Sequence, residues 1–247
     1  MGAITRRSAV ASASTLERLI PAELEPGDTT GAETYRLHLE RYDFAARFLR
    51  GGRTLDCACG VGYGSERLSR GGDEVGSVTG VDIDSDAIGY ARANYGSSRI
   101  EFVCADGATF DSDPFDLIVS FETIEHVPDP ASLIDNFTRL LKPGGILVAS
   151  VPVTPSVDVN PYHLHDFTQR SFRRMFETRG FAELDSLLQV QPYQPLKIIS
   201  GNETRLEDMR RNLLGYYATH PLAAIKRASS TVMDGFCNKY LVCAWRR

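Results

Sequence analysis

Leu55-Asp56-Cys57-Ala58-Cys59-Gly60-Val61-Gly62-Tyr63-Gly64 is the stretch whose reading decides the fold. Thr54 to Ala58 is short and apolar, as a buried strand is. The glycines that follow turn the chain, and a helix runs on through Glu66 to Ser69. Strand, glycine-rich turn and helix is the unit that brings backbone against a ligand in an open α/β sheet. Glycine permits positive φ and removes the Cβ from the approach. The next helix offers free N–H groups to an anion or carboxylate. Such turns are widespread, so the same ten residues also read as a tight turn and nothing more.

The chain on either side repeats the unit. Val78 to Ile83 reads as a second strand, Asp86 to Tyr95 as a helix and Ile100 to Cys104 as a third strand. Phe115 to Phe121 is a fourth strand, apolar enough to be buried on both faces. A helix from Pro130 to Leu141 is ended by Lys142-Pro143-Gly144-Gly145, and Ile146 to Val151 is a fifth strand. Strands alternating with helices imply right-handed crossovers and a parallel sheet covered on both faces. Upstream, apolar spacing from Thr34 to Arg50 predicts an amphipathic helix stopped by Gly51-Gly52. Downstream, Pro152, Pro155 and Pro161 punctuate a loop with two histidines, before a helix from Thr168 to Arg179 and a strand from Phe181 to Val190. Residues 192–235 read as a helical insertion before a last strand, Lys239 to Trp245. Residues 1–32 read as a flexible arm and 33–247 as one domain.

Two aspartates stand where the turn needs them. Asp82 closes the second strand 22 residues after Gly60, and a carboxylate there can accept from ribose hydroxyls. Asp106, in Ala105-Asp106-Gly107, follows the third strand and is placed to meet an adenine amino group. Singly, one reads as a helix N-cap and the other as a turn residue. Together with the glycine turn they occupy the carboxyl ends of successive strands, the edge where open α/β sheets bind ligands.

With Gly80-Val81-Asp82-Ile83-Asp84, the segment Phe115 to His126 and Leu140 to Gly145 in the same order, the chain resembles the class I S-adenosylmethionine-dependent methyltransferases over about residues 35–151. The resemblance implies a Rossmann-like, seven-stranded, mostly parallel sheet with the last strand antiparallel, and S-adenosyl-L-methionine as cofactor. It implies that Asp56, Gly60 and Gly62 surround the methionine moiety, Asp82 holds the ribose, Ile83 packs on adenine and Asp106 takes the adenine N6. Gly107 and Phe121, beside the third and fourth strand ends, complete the expected cofactor set. Glu33 to Ala45 resembles a helix that caps the cofactor in bacterial members, so Tyr35, His38, Arg41 and Tyr42 are expected to close the site. Arg41 would then partner the methionine carboxylate. Packing alone accounts equally for that helix. A nicotinamide dehydrogenase wants Gly or Ala where Ser65 stands, and gives no account of Lys142 to Gly145 or of Glu122.

Methyl transfer needs in-line positioning and a place for the acceptor's proton. Glu122, His163, His165 and Asp166, in the loops after the fourth and fifth strands, are the expected catalytic groups. His163 and His165 share a face if the segment is extended, and Asp166 alternatively reads as a helix N-cap. Asn160 to Thr168 resembles bacterial methyltransferases acting on sugars and sugar-bearing natural products, antibiotics included. Carboxylates at Glu122, Asp158 and Asp166 suit a cationic amino sugar, with Tyr162, Phe167 and Tyr193 as stacking faces. The expected partner is therefore a small-molecule acceptor, an amine slightly preferred to a hydroxyl, with no metal. One alternative is a magnesium-dependent RNA 2′-O-methyltransferase, whose metal set Glu122, Glu125, His126 and either His163 or His165 resemble. Another is a non-catalytic cofactor-binding module. The insertion, with Tyr216, Tyr217 and His220, reads as a lid, a homodimer contact or packing.

The bulk properties agree. The 247 residues carry a formal charge of -5 at pH 7, which leaves no broad basic footprint for nucleic acid. Five cysteines without regular spacing do not make a disulfide framework, and no stretch has the apolar length to cross a bilayer. Arg6-Arg7 is followed by no apolar export segment, and a cytoplasmic protein is expected.

Overall fold

The computed structural model describes residues 19–24, 27, 29–71, 76–192, 210 and 212–247. Helix α1 spans Thr29–Ala46, followed by β1 (Arg53–Cys57), α2 (Tyr63–Ser69), β2 (Ser77–Asp82), α3 (Ser85–Tyr95) and β3 (Ile100–Cys104). Then come β4 (Phe115–Phe121), α4 (Pro130–Leu140), β5 (Leu141–Pro152), α5 (Gln169–Glu177), β6 (Ala182–Pro192), α6 (Leu213–Thr219), α7 (Pro221–Asp234) and β7 (Cys237–Arg246). The seven strands form one sheet in the order β3-β2-β1-β4-β5-β7-β6. Strands β1 to β5 run parallel, and β7 is antiparallel to both β5 and β6, as the resemblance implied.

Alternation within β4 shows why its apolar run is continuous. Leu117 and Val119 join a core with Tyr42, Ala45 and Leu68 on one face, while Phe115 and Ile118 join Ile134, Phe137 and Leu147 on the other. Both faces are covered, which keeps the run mostly apolar; Ser120 is its one buried polar residue. Trp245 of β7 is fully buried, stacked on Phe176 at 4.0 Å and edge-on to Phe172 at 5.3 Å. Aromatic pairs at such separations add about 1 kcal/mol beyond their burial; this cluster fastens α5 to the antiparallel edge.

Several boundaries differ from expectation. Lys142 to Gly145 lies inside β5, where pairing jumps from Phe115↔Leu141 to Leu117↔Ile146, so these four residues bulge out of the ladder. Gly51-Gly52 does not stop α1, which already ends at Ala46; Gly52 instead turns the chain tightly into β1 beside Asp116. Within the expected arm, Pro21–Glu23 forms a 3-10 turn and Leu19 is buried; residues 1–18 lie outside the described residues. So do 193–209 of the insertion, Tyr193 among them.

Candidate active site

The glycine turn is bound to the end of β2. The Ala58 and Cys59 amides both donate to the Val81 carbonyl, at 2.7 and 3.0 Å. Gly62 has φ +90°, and a Cβ there would lie 2.7 Å from the Phe102 ring. A Cβ on Gly64 would lie 1.8 Å from the Tyr42 ring, so α1 rests directly on the first turn of α2. Around Gly60 the space is open: a Cβ there would meet nothing within 4 Å. The Gly60 amide donates to Asp82 Oδ2 at 2.9 Å and the Asp84 amide to Asp82 Oδ1 at 3.0 Å. The neighbouring Asp84, not Asp82, caps α3 by accepting from the Asp86 and Ala87 amides. Between the two aspartates Ile83 is 71% exposed, a large apolar side chain left uncovered at the sheet's carboxyl edge. Exposed Asp106 stands at the end of the next strand, its Oδ1 accepting from the Ala108 amide at 2.9 Å. An open glycine backbone, a bare apolar face and carboxylates on both sides of it fit an adenosine. Asp82, Ile83 and Asp106 would hold its ribose, base face and amino edge.

Beneath the turn lies Asp56. It is buried and accepts from Ser65 Oγ at 2.7 Å and, through both oxygens, from the Tyr42 hydroxyl at 3.3 Å. Burial pushes its carboxyl up to about 7, against the pull of those two hydroxyls; the charge of Asp82 adds to the rise. Asp56 therefore ties α1 and α2 together under the glycines. Ser65, at the position that argued against a dehydrogenase, is the donor that makes this possible. The cap expected from Glu33 to Ala45 is present: His38 Nδ1 meets the Tyr63 hydroxyl at 2.5 Å, Tyr35 packs edge-on against Tyr63 at 5.4 Å, and Tyr42 against Phe121 at 5.0 Å.

Arg41 is 2% exposed and reaches away from the turn, towards β6 and β7. Its Nε donates to Gln189 Oε1 at 2.8 Å, and its guanidinium lies 4.7 Å from the Tyr240 ring centre. The anion beside it is Glu122, with Nη1 3.5 Å from Oε1 and making no hydrogen bond. Sequence reasoning missed Gln189 and Ser150; Ser150 stands alone in the apolar run Ile146 to Val151, whereas Gln189 is one of several polar residues of β6 and gave no signal.

Glu122 ends β4 with φ +48°, a backbone region uncommon outside glycine. Its amide donates to the Ser150 carbonyl at 3.2 Å, and Ser150 Oγ donates to its Oε1 at 2.6 Å. The loops after β4 and β5 are stitched together beyond it. The Leu164 amide donates to the Glu125 carbonyl at 2.8 Å. His126 Nδ1 donates to the Tyr162 carbonyl at 3.3 Å, and His165 Nε2 to the Val127 carbonyl at 3.0 Å. His163 and His165 thus bond to different loops, His165 to the one after β4 and His163 to Ser156 of its own. His163 Nδ1 bonds Ser156 Oγ at 2.7 Å and its ring lies edge-on to His126 at 4.6 Å. Burial, with His126 alongside, pushes the His163 imidazole down to about 3, which makes it a poor base near neutrality. Ligand atoms of Glu125, His126 and His163 lie within 4.8 Å of one another. Glu122, the other glutamate of the two-glutamate, two-histidine set, and His165, the alternative to His163, are engaged elsewhere.

Asp166 does not cap a helix, and its oxygens are engaged within the chain. It accepts from the Ser156 and Val157 amides and pairs with Lys226 of α7 at 2.9 Å, while Thr168 caps α5. Asp158 is likewise spent: buried, it takes Arg227 through both oxygens and the Tyr217 hydroxyl at 2.6 Å. Burial alone would raise both carboxyls, but these partners overcome it and hold both below the usual range. The acidic surroundings expected for a cationic acceptor reduce to Glu122. An open hollow of about 630 Å³ on α5, lined by Gln169, Arg173 and Glu177 among others, shares none of these residues.

Residues 55–149 match the model of a methyltransferase domain. A relative from Mycolicibacterium smegmatis, described as a probable S-adenosylmethionine-dependent methyltransferase, is 29% identical over 159 residues, 62% of this chain and 61% of its own. Phosphoethanolamine N-methyltransferase 1 of Triticum aestivum is 32% identical over 63% of this chain and 32% of its own length. Ubiquinone biosynthesis O-methyltransferase of Xylella fastidiosa is 37% identical over 47% and 49%. The chain thus spans less than two thirds of each of these curated relatives. Among solved structures, the N-methyltransferase NodS of Bradyrhizobium japonicum, in complex with S-adenosyl-L-homocysteine, superposes with a TM-score of 0.58 at 17% identity, covering 95% of both chains. The YcgJ protein of Bacillus subtilis gives 0.63 at 16% identity, covering 85% of this chain and 99% of its own. Residues 55–149 thus match a methyltransferase domain, and the sheet order and the relatives together support a class I S-adenosylmethionine-dependent methyltransferase.

Proposed function

We propose that the chain methylates a hydroxyl or amine of a small polar acceptor, a sugar or sugar-bearing metabolite, with Glu122 receiving the acceptor's proton. S-adenosylmethionine supplies an electrophilic methyl group when bound. Gly60, Asp82, Ile83 and Asp106 orient it, and α1 excludes water from above the glycine turn. One observation carries the reading: Glu122 stands at the end of β4 beside Phe121, with Oε1 fixed by Ser150 and no hydrogen bond to Oε2 from the described residues. The preference for an amine rests on Glu122, Asp158 and Asp166; the pairing of the last two with Arg227 and Lys226 leaves Glu122 alone, and hydroxyl and amine acceptors stand level. Five free cysteines suit the reducing cytoplasm we assign to the protein. Among the described residues no helix is long and apolar enough to cross a membrane. The test is a screen of sugar and amino-sugar acceptors by mass spectrometry for a one-methyl increment. Glu122→Gln is expected to lose at least about 100-fold in turnover with cofactor affinity kept, in line with general-base contributions. Unchanged turnover rejects the assignment, and cofactor binding without any turnover favours a binding module.

A second reading rests on Glu125, His126 and His163. The Nδ1 of each histidine is held by an outer oxygen, the Tyr162 carbonyl for His126 and Ser156 Oγ for His163, as such oxygens orient metal-binding histidines. A metal there would orient and acidify an acceptor hydroxyl. Turnover that disappears on EDTA dialysis and returns with a divalent metal supports this reading; turnover indifferent to EDTA removes it.

A further inference from the structure

Helix α7 is held to the domain by its polar side. Arg227 binds Asp158 and the Pro155 carbonyl, Lys226 binds Asp166, and Asp234 binds Lys239. The outward stripe, in which Lys226 is the one charged residue, is otherwise apolar and uncovered: Leu222, Ile225, Val232, Met233 and, just past the helix, Phe236 are each 53% to 86% exposed, as is Leu214 of α6 at 84%. These side chains expose an area on the order of the ~800 Å² that each partner contributes to a stable interface. A monomer's surface does not usually carry so large a patch without use.

The pattern along the stripe says what covers it. Leu222 and Phe236 lie seven residues on either side of Ser229, and Ile225 and Met233 lie four on either side. A two-fold axis through Ser229 superposes Leu222 on Phe236 and Ile225 on Met233, and sets Val232 against the aliphatic stem of Lys226, with the small Ala228 and Ser229 at the crossing where two helices approach most closely. Every charge of α7 is already paired within its own chain, so the face repels no second copy. It also offers no free cation to a phosphate-bearing surface. We propose that the chain forms a homodimer in which α7 packs antiparallel against α7 of a second copy, crossing at Ser229. The interface clamps the loop after β5, because Asp158 and Asp166 of that loop are the anchors of the helix.

The test uses the whole chain in sedimentation velocity. The chain is expected to run as a particle of twice its 27.3 kDa at ~10 μM. Ile225→Glu, a change at an exposed position that leaves circular dichroism and thermal midpoint unaltered, is expected to weaken self-association at least about 100-fold. Ser229→Cys in a Cys104→Ser background is expected to give a covalent dimer on mild oxidation, since the axis brings the two copies of that position within disulfide reach. A single-chain particle at ~100 μM overturns the proposal, whatever shields the stripe instead. A dimer that survives Ile225→Glu, or fails to cross-link through position 229, overturns it as well.

Discussion

Replacing Asp56 by Asn tests the electrostatics under the glycine turn. The Asp56 carboxyl titrates near 7 when folded, against an ordinary value of 3.8, chiefly because it is buried. A raised acid pKa favours the folded state while the group is protonated in both states or in the folded state alone. That advantage is complete below about pH 4 and is lost as pH rises through about 7. The shift of roughly three units corresponds to about 4 kcal/mol over that window, at about 1.4 kcal/mol per unit. Asn has the shape of the protonated acid, and the Ser65 and Tyr42 hydroxyls can each turn to give or accept, so the amide retains both contacts. Asp56→Asn is therefore expected to match the native chain at about pH 4 and below and to exceed it by up to about 4 kcal/mol at pH 8. Urea unfolding followed by tryptophan fluorescence at each pH measures the difference, and every other titrating group cancels in it. Parallel curves for the two proteins between pH 4 and 8 would refute the claim that Asp56 folds with its proton.

Three further outcomes follow. Asp82→Asn turns an amide N–H₂ towards the Gly60 or Asp84 amide and removes a charge; calorimetry is expected to show cofactor affinity reduced about 10- to 100-fold, and an unchanged affinity removes Asp82 from the ribose site. Asp158→Ala leaves Arg227 half-enclosed without its carboxylate, at a cost of about 3 kcal/mol; hydrogen exchange is expected to accelerate in α6 and α7 and not in β1 to β5, and uniform protection refutes the anchoring role. Because His163 stays neutral down to about pH 3, turnover is expected to show no acid limb from it between pH 5 and 7; a limb in that range abolished by His163→Gln would contradict its burial.

What was legible in the sequence is what backbone geometry demands locally. The turn from Asp56 to Gly64, the acidic strand ends at Asp82 and Asp106, and the double-sided apolar run of β4 announce themselves because few other residues satisfy those positions. The loops after β4 and β5 were less legible because their residues bond across long separations. Asp166 looked like a free carboxylate until Lys226 arrived from α7, and Asp158 until Arg227 did. Arg41 looked like a cofactor ligand, and nothing near it in the chain reveals that Gln189 and Glu122 are its neighbours. The Lys142 to Gly145 bulge was invisible for a different reason: proline and glycines end a helix and break a strand ladder with the same signals.

The placement of β7 has a consequence for how the chain assembles. β6 touches the sheet only through β7, and 193–236 separate the two. As a chain is synthesised, β6 leaves the ribosome well before the one strand able to receive it. For that interval Leu184, Leu187, Leu188 and Val190 sit on an edge without a neighbour, a surface that strands of other nascent chains can join. Slowing translation through the intervening segment lengthens the exposure, and growth at lower temperature, which weakens apolar association, shortens its reach.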